Sequence, residues 1–263
     1  MVRRGLDVEL VRRHLARSRK QAQEFIDAGF VEVNGMVASK AASQVDEAAA
    51  IRVNSDPDDD YVSRGAHKLI GALDTFGFSV EGKVVLAAGA STGGFSDVLL
   101  RRGAAHIYCV DVGYGQLAWK IANDPRVTVM DRFNVRNLTE FDLGQPVDLI
   151  VADLSFISLS TVLPALAGVL KPNGDALLMV KPQFEVGKEL LGPGGVVSDN
   201  SLRIDAVNKI ANKAFELGLG MAGVVASPLP GPSGNVEYFL WLNRSASAPD
   251  ITAIEKAVQE GPQ

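Results

Sequence analysis

The sequence predicts an α/β protein: a seven-stranded, mostly parallel sheet with helices on both faces, preceded by a small α+β module. Three observations carry this. Beyond residue 63, short apolar runs alternate with helical stretches, the pattern of parallel strands buried on both faces. The first 55 residues follow another rhythm, two short helices and then a hairpin. Between the two, Asp56-Pro57-Asp58-Asp59-Asp60 is an acidic run that no packed core accepts. The expected division is therefore 1–55, a linker at 56–62, and 63–263, in keeping with a 263-residue chain that holds one large and one small domain.

In the module, Leu6, Val8, Leu10, Val11 and Leu15 form a roughly helical apolar stripe. A second helix opens at Ser18, with Gln21 at capping-box spacing, buries Ala22, Phe25 and Ile26, and stops at Gly29. Val31–Val33 alternates, Asn34-Gly35 is a tight-turn signal, Met36-Val37 starts the return strand, and Ile51–Val53 closes the unit. Residues 1–20 hold Arg3, Arg4, Arg12, Arg13, Arg17, Arg19 and Lys20 against Asp7 and Glu9, whereas the whole chain carries −5. A basic head on an acidic body suits a polyanion-binding module, although a merely solvated arginine-rich face has the same charge.

In the larger domain the expected strands are 84–88, 107–110, 127–130, 147–152, 176–180, 221–226 and 236–242. Helices are expected around 64–76, 95–102, 115–122, 158–169 and 199–217. The first strand runs into Gly89-Ala90-Ser91-Thr92-Gly93-Gly94-Phe95, where an open α/β sheet places its ligand. A P-loop fails because Phe95 stands where lysine is required, and a dinucleotide loop fails because Ser91 replaces its second glycine. An adenosylmethionine loop fits. Its glycines let backbone approach the methionine portion, and Asp111, 22 residues past Gly89, ends the second strand where a ribose-binding carboxylate belongs. A purely structural tight turn is the alternative. Ala87 stands where many such proteins carry an acid.

Strand 147–152 ends in Asp153-Leu154-Ser155-Phe156. Base-amine methyltransferases place an acid or amide, two prolines and an aromatic here, so Leu-Ser in place of Pro-Pro counts against an exocyclic amine as target. Strand 176–180 ends in Lys181, and a lysine closing a buried apolar strand is costly unless a site uses it. With Lys68 near a helix start and Glu237 in the last strand, Lys68, Asp153, Lys181 and Glu237 form a Lys-Asp-Lys-Glu set. Such a set suits methylation of a ribose 2′-hydroxyl, a poor nucleophile that must lose its proton as it attacks in line. Two ordinary salt bridges at the sheet edge are the bland reading.

Two resemblances follow. The stretch "LARSRKQAQEFIDAGFVEVNG" resembles the small RNA-binding domain of the ribosomal-protein S-four type (αL motif). The stretches "SRGAHKL", "GASTGGF", "DVGYGQLAW", "VADLSFISL", "VKPQFEVGK", "GPGGVV" and "SPLPGPSGNVEYFLW" make the chain similar to the TlyA (hemolysin A) family of rRNA 2′-O-methyltransferases. The catalytic domain of that family is similar to FtsJ/RrmJ and has a Rossmann-like class I methyltransferase fold. The resemblance implies S-adenosyl-L-methionine as donor, cytidine 2′-hydroxyls of 16S rRNA in the small subunit and 23S rRNA in the large as acceptors, and a link to capreomycin susceptibility. It makes Lys68, Asp153, Lys181 and Glu237 catalytic. It assigns Gly89 to Phe95, Asp111, Asn134 and Asp153 to the donor, and Arg64 with the basic head to RNA. Ala87 departs from the family's L-D-A-G-A-S-T loop, which puts donor affinity in question.

Composition narrows the classes. The chain is 47% apolar and 22% charged, which excludes a disordered chain, and its single cysteine, Cys109, excludes a disulfide framework or Cys-rich zinc site. No secretory signal and no span-length apolar run is visible, so a cytoplasmic monomer without metal or membrane partner is expected. A pore-forming protein, and an RNA-binding protein with an impaired donor site, remain the competing classes.

Overall fold

The computed structural model describes residues 3–13, 15–16, 18–27, 30–38, 40–46, 48–53 and 61–262. The chain divides into two compact units, Met1–Asp60 and Tyr61–Gln263. His14, Arg17, Gly29 and linker residues 56–60 lie outside the described residues.

The first unit runs β1 (Arg3–Gly5), α1 (Leu6–Arg12), α2 (Arg19–Asp27), β2 (Val31–Val33), β3 (Met36–Val37), β4 (Gln44–Asp46) and β5 (Ile51–Val53). Leu6, Leu10, Ala22, Ile26 and Val31 form its core. The expected hairpin is β2–β3. Asn34 and Gly35 both take positive φ (52° and 79°), the geometry that lets a two-residue turn match strand twist. Asn34 is also tied to Ala50 through its backbone amide and its side-chain oxygen, which brings β5 alongside β2.

Two details differ from expectation. α1 ends at Arg12, so Leu15 follows it and docks by its amide on the Leu10 carbonyl, while Val8 faces outward. β1 and β4 pair antiparallel. Such three-residue strands are too short for alternation to announce them.

The basic head is partly answered by its own acids. Glu9, almost wholly covered, accepts hydrogen bonds from Arg12 at 2.7 and 2.8 Å and from Arg13 at 2.7 Å, with Arg4 3.9 Å away. Arg19 pairs with Asp7 at 2.7 Å.

The second unit contains α3 (Gly65–Phe76), β6 (Val84–Ala88), α4 (Gly94–Arg101), β7 (His106–Val110), α5 (Trp119–Ala122), β8 (Val127–Met130), α6 (Glu140–Leu143) and β9 (Val147–Ala152). It continues through α7 (Leu159–Val169), β10 (Leu170–Val180), α8 (Pro182–Glu185), α9 (Asn200–Glu216), β11 (Gly220–Ala226), β12 (Tyr238–Asn243) and α10 (Ile251–Glu260). The sheet order is β11-β12-β10-β9-β6-β7-β8, and β12 alone runs against the rest.

Period-2 alternation sorts the strand residues onto two faces. Val85 and Ala87 join Leu69, Leu73, Val98 and Ile107 beneath α3 and α4. Leu86 and Ala88 join Leu163, Leu166, Ile210 and Ile254 beneath α7, α9 and α10. The chain builds outward from β6 to β8 and then returns to place β9 on the other side of β6. The switch point, where the loops of neighbouring strands diverge, therefore lies between β6 and β9.

The helix expected at 115–122 shrinks to Trp119–Ala122. Gly115 sits at φ +62°, and the Asp111 and Asp131 carboxylates take the Gly113 and Gly115 amides, which holds residues 111–118 as a loop. The terminal helix α10 has no counterpart among the expected elements. Asp250 caps it and Ile254 and Val258 bury its inner face. Among the described residues no helix is long and apolar enough to cross a membrane.

The guanidinium groups of Arg12 and Arg13 hold the Glu9 carboxyl down at about 2, against an ordinary 4.5. A carboxyl depressed on folding contributes stability above the higher value and loses it as pH falls toward the lower. Glu9→Gln should therefore destabilise the first unit at neutral pH, with the gap to wild type closing between pH 4.5 and 2. Thermal melts of the full chain followed by NMR signals of the first unit measure this, and a gap independent of pH would contradict it.

Candidate active site

The carboxyl ends of the parallel strands make one edge, and the glycine loop is built against it. The Asp153 amide bonds to the Ala88 carbonyl at 2.9 Å. Gly89 is at φ +78°, and a Cβ there would stand 2.5 Å from the Asp153 carbonyl oxygen, so only glycine lets β6 turn this closely past β9. Asp111, ending β7, accepts the Ser91 amide at 2.8 Å and the Gly113 amide at 2.7 Å, which fixes its carboxylate at the rim.

These turns leave an open cleft of about 520 Å³, bounded by Gly89, Ser91, Asp111, Asn134, Asp153 and Phe156. A smaller recess beside it reaches Ala90, Thr92, Gly94, Phe95 and Ser63. Gly93 borders neither; a side chain there would meet Leu117 and Ile121. The Phe95 ring stacks toward Phe239 at 6.0 Å and belongs mainly to the core. Asn134 accepts the Arg136 amide at 3.1 Å and caps a single 3-10 turn at the cleft wall. Asp111, the glycine turns and the adjoining recess fit a nucleoside carrying an amino-acid tail. Ala87, 2% exposed, points into the α3–α4 core and not into the cleft.

The four ionic residues meet at the same edge as two pairs. Lys68, in the first turn of α3, lies 2.5 Å from Glu237. Lys181, just past β10, lies 2.6 Å from Asp153. The Val180–Tyr238 register places Lys181 and Glu237 side by side across the sheet. Lys68, Lys181 and Glu237 are 6%, 7% and 1% exposed, so their charges are answered mainly by each other. Arg64, on the turn before α3, is exposed. Among the described residues no group of three or more His, Cys, Asp or Glu is arranged to hold a metal ion.

Several supporting residues have no signal in the sequence. Ser155 accepts a hydrogen bond from Lys181 at 2.8 Å. Glu185 accepts the Ser158 hydroxyl at 2.5 Å and the Leu159 amide at 2.7 Å, capping α7, and burial pushes its carboxyl above the usual range. Asn235 takes the Val197 amide and donates to the Gly195 carbonyl, fastening the loop at 192–197 two residues from Glu237. A serine, a glutamate and an asparagine in loops carry no periodicity, and only their partners reveal them. Trp119 is 80% exposed. Cys109 is core, and burial pushes its thiol up to about 11.

Residues 61–244 match the FtsJ-like methyltransferase family, and residues 4–51 match the S4 domain. The chain is 57% identical over 268 residues, covering all of both chains, to the 16S/23S rRNA (cytidine-2′-O)-methyltransferase TlyA of Mycobacterium tuberculosis. It is 42% identical over 240 residues to a Bacillus subtilis protein named "Putative rRNA methyltransferase YqxC", covering 90% of this chain and 85% of that one. A solved structure titled "Putative hemolysin from Streptococcus thermophilus" superposes with a TM-score of 0.78 at 35% identity, covering 99% of this chain and 96% of that one.

Removing one partner of a buried ion pair strands the other charge. Lys68→Met or Glu237→Gln alone should each cost roughly 3–5 kcal/mol, and the double variant much less than their sum. Urea unfolding of the four proteins measures the coupling, and additive losses would mean that the pair is not closed in solution.

Proposed function

The chain belongs to the TlyA family of FtsJ-like methyltransferases, and on that premise we propose that it methylates cytidine ribose 2′-hydroxyls in 16S and 23S rRNA of assembled ribosomal subunits. S-adenosyl-L-methionine is its methyl donor. One observation carries the reading: a buried lysine, Lys181, paired with Asp153, whose partly exposed carboxylate borders a nucleoside-sized cleft. When bound, the donor supplies a methyl group on a sulfonium sulfur, which keeps the bonding electron pair as it leaves.

The chain's own residues do the rest. Gly89, Ala90, Ser91, Thr92 and Gly94 shape the wall for the methionine portion, while Gly93 sets the turn behind it and Phe95 backs it from the core. Asp111 accepts the ribose hydroxyls, and Asn134 lies beside the base. Lys181 Nζ takes the proton of the acceptor 2′-hydroxyl as its oxygen attacks, and Asp153 holds that nitrogen in place. Lys68 and Glu237 form the neighbouring buried pair, in which Glu237 orients rather than transfers. With rRNA as substrate, the activity belongs to the cytoplasm, and the enzyme acts there as a monomer.

The first unit supplies affinity for rRNA. Arg4, Arg12, Arg13 and Arg19 share Asp7 and Glu9, and Lys20 is exposed. The Arg3 backbone lies in β1, and Arg17 is outside the described residues. Arg64, exposed before α3, is the RNA-contacting residue of the second unit.

Tritiated methyl transfer to isolated small and large subunits, followed by mapping of 2′-O-methyl positions, tests the activity. Lys181→Ala should abolish transfer and leave donor and subunit binding near wild type, because the lysine acts on the hydroxyl in the transition state. Lys181→Arg should fail too, since a guanidinium stays protonated. Substantial turnover in the arginine variant would exclude the lysine as base. Flat calorimetric heats with donor at high concentration would favour an RNA-binding protein without methyl transfer.

Replacing Arg19 and Lys20 with alanine should weaken subunit binding and reduce its salt slope by about 0.7–0.9 for each phosphate that is no longer neutralised. Titrations at several potassium concentrations read this out. Donor affinity should not change, because the cleft is built wholly from the second unit.

A further inference from the structure

Lys181 has a hydrogen-bond partner to which the reaction as derived gives no role. Its Nζ donates to Ser155 Oγ at 2.8 Å, whereas Asp153 Oδ1, 2.6 Å away, pairs with it ionically and without hydrogen-bond geometry. The lysine is buried, whereas Ser155 is exposed and borders the cleft. Ser155 therefore stands between the lysine and the cleft from which the methyl group comes. The base-amine methyltransferase pattern puts proline at this position, and proline has no hydroxyl to offer.

The loop that carries Ser155 is not free to swing. Phe156 is held at φ +62° with its ring 5.2 Å from that of Phe184. Three residues further on, Ser158 and Leu159 are clasped by the Glu185 carboxylate. Glu185 lies four residues past Lys181, at the end of α8, so one clasp joins the serine loop to the lysine segment. The distance from Ser155 to Lys181 is thus fixed from both sides.

We propose that Ser155 is a positioning residue for Lys181. Ser155 fixes one tetrahedral direction of the nitrogen by its hydrogen bond while Asp153 holds it by charge alone, which leaves another direction for the incoming 2′-hydroxyl. With Asp153 alone, the amine rotates about a single contact and spends much of its time aimed elsewhere. This inference rests on the methyltransfer reading above and adds the residue that aims its base.

The test uses full-length Ser155→Ala and Ser155→Thr, with two independent readouts. In single-turnover methyl transfer to ribosomal subunits, Ser155→Ala should lower the rate about ten- to a hundred-fold, the worth of a hydrogen bond to a charged group. Subunit KM and calorimetric donor affinity should stay within about two-fold of wild type, as expected when orientation alone is lost. Ser155→Thr, which keeps the hydroxyl, should recover most of the rate.

The second readout needs no activity. The Lys181 ammonium signal in a ¹⁵N-lysine NMR spectrum, assigned by its loss in Lys181→Arg, should exchange with water faster in Ser155→Ala than in wild type or Ser155→Thr. A wild-type rate together with an unchanged ammonium signal in Ser155→Ala would overturn the proposal. So would a parallel loss of rate and donor affinity, which would make Ser155 a donor-binding residue. If wild type itself transferred no methyl group, the functional reading would fall, and the NMR arm would still decide whether Ser155 orients the lysine.

Discussion

The contact between Lys68 and Glu237 is the constraint to which the edge of the cleft answers. It joins a helix start to the beginning of β12 across 169 residues of sequence, in a place almost closed to water. Desolvating two charges is repaid only when their geometry is good and their remaining hydrogen-bonding capacity is met. The pair therefore does not build the fold; the fold must already hold α3 and β12 in place for it to close. Once closed, it sets the floor beside which Lys181 stands, because Lys181 and Glu237 are neighbours across the β10–β12 ladder.

The seven strands of the second unit are legible to within a few residues, and the central parallel ones, buried on both faces, write themselves as unbroken apolar runs. The one large discrepancy, β10, begins at Leu170 because an irregular stretch before Asp175 interrupts its ladder and its hydrophobicity together. The helix expected at 115–122 is shorter in the structure because apolar spacing says nothing about carboxylates that capture backbone amides. The four ionic residues are legible as costly charges at strand ends, but their pairing is not. Ser155, Glu185 and Asn235 act through partners 26 to 40 residues away, a separation that no local pattern encodes.

The N-terminal unit shows the opposite limit of charge counting. Its seven basic residues suggest an open cationic patch, yet Asp7 and Glu9 sit among them and draw in at least four guanidinium groups. The acids do not cancel the patch. They hold long, flexible side chains in one arrangement, so that less conformational entropy remains to be lost when an anion arrives.

The reversed strand has a consequence for the order in which the molecule can come into being. β11 is made before β12 but reaches the sheet only through it, since β12 lies between β11 and β10. During synthesis, then, β11 has no ladder to join until residues 238–243 have emerged and slid into the gap. Glu237 arrives with that same strand. A chain still attached to the ribosome that is making it therefore has a glycine loop and a cleft wall before it has both lysine–carboxylate pairs, and the last insertion finishes the sheet and the candidate site in a single event.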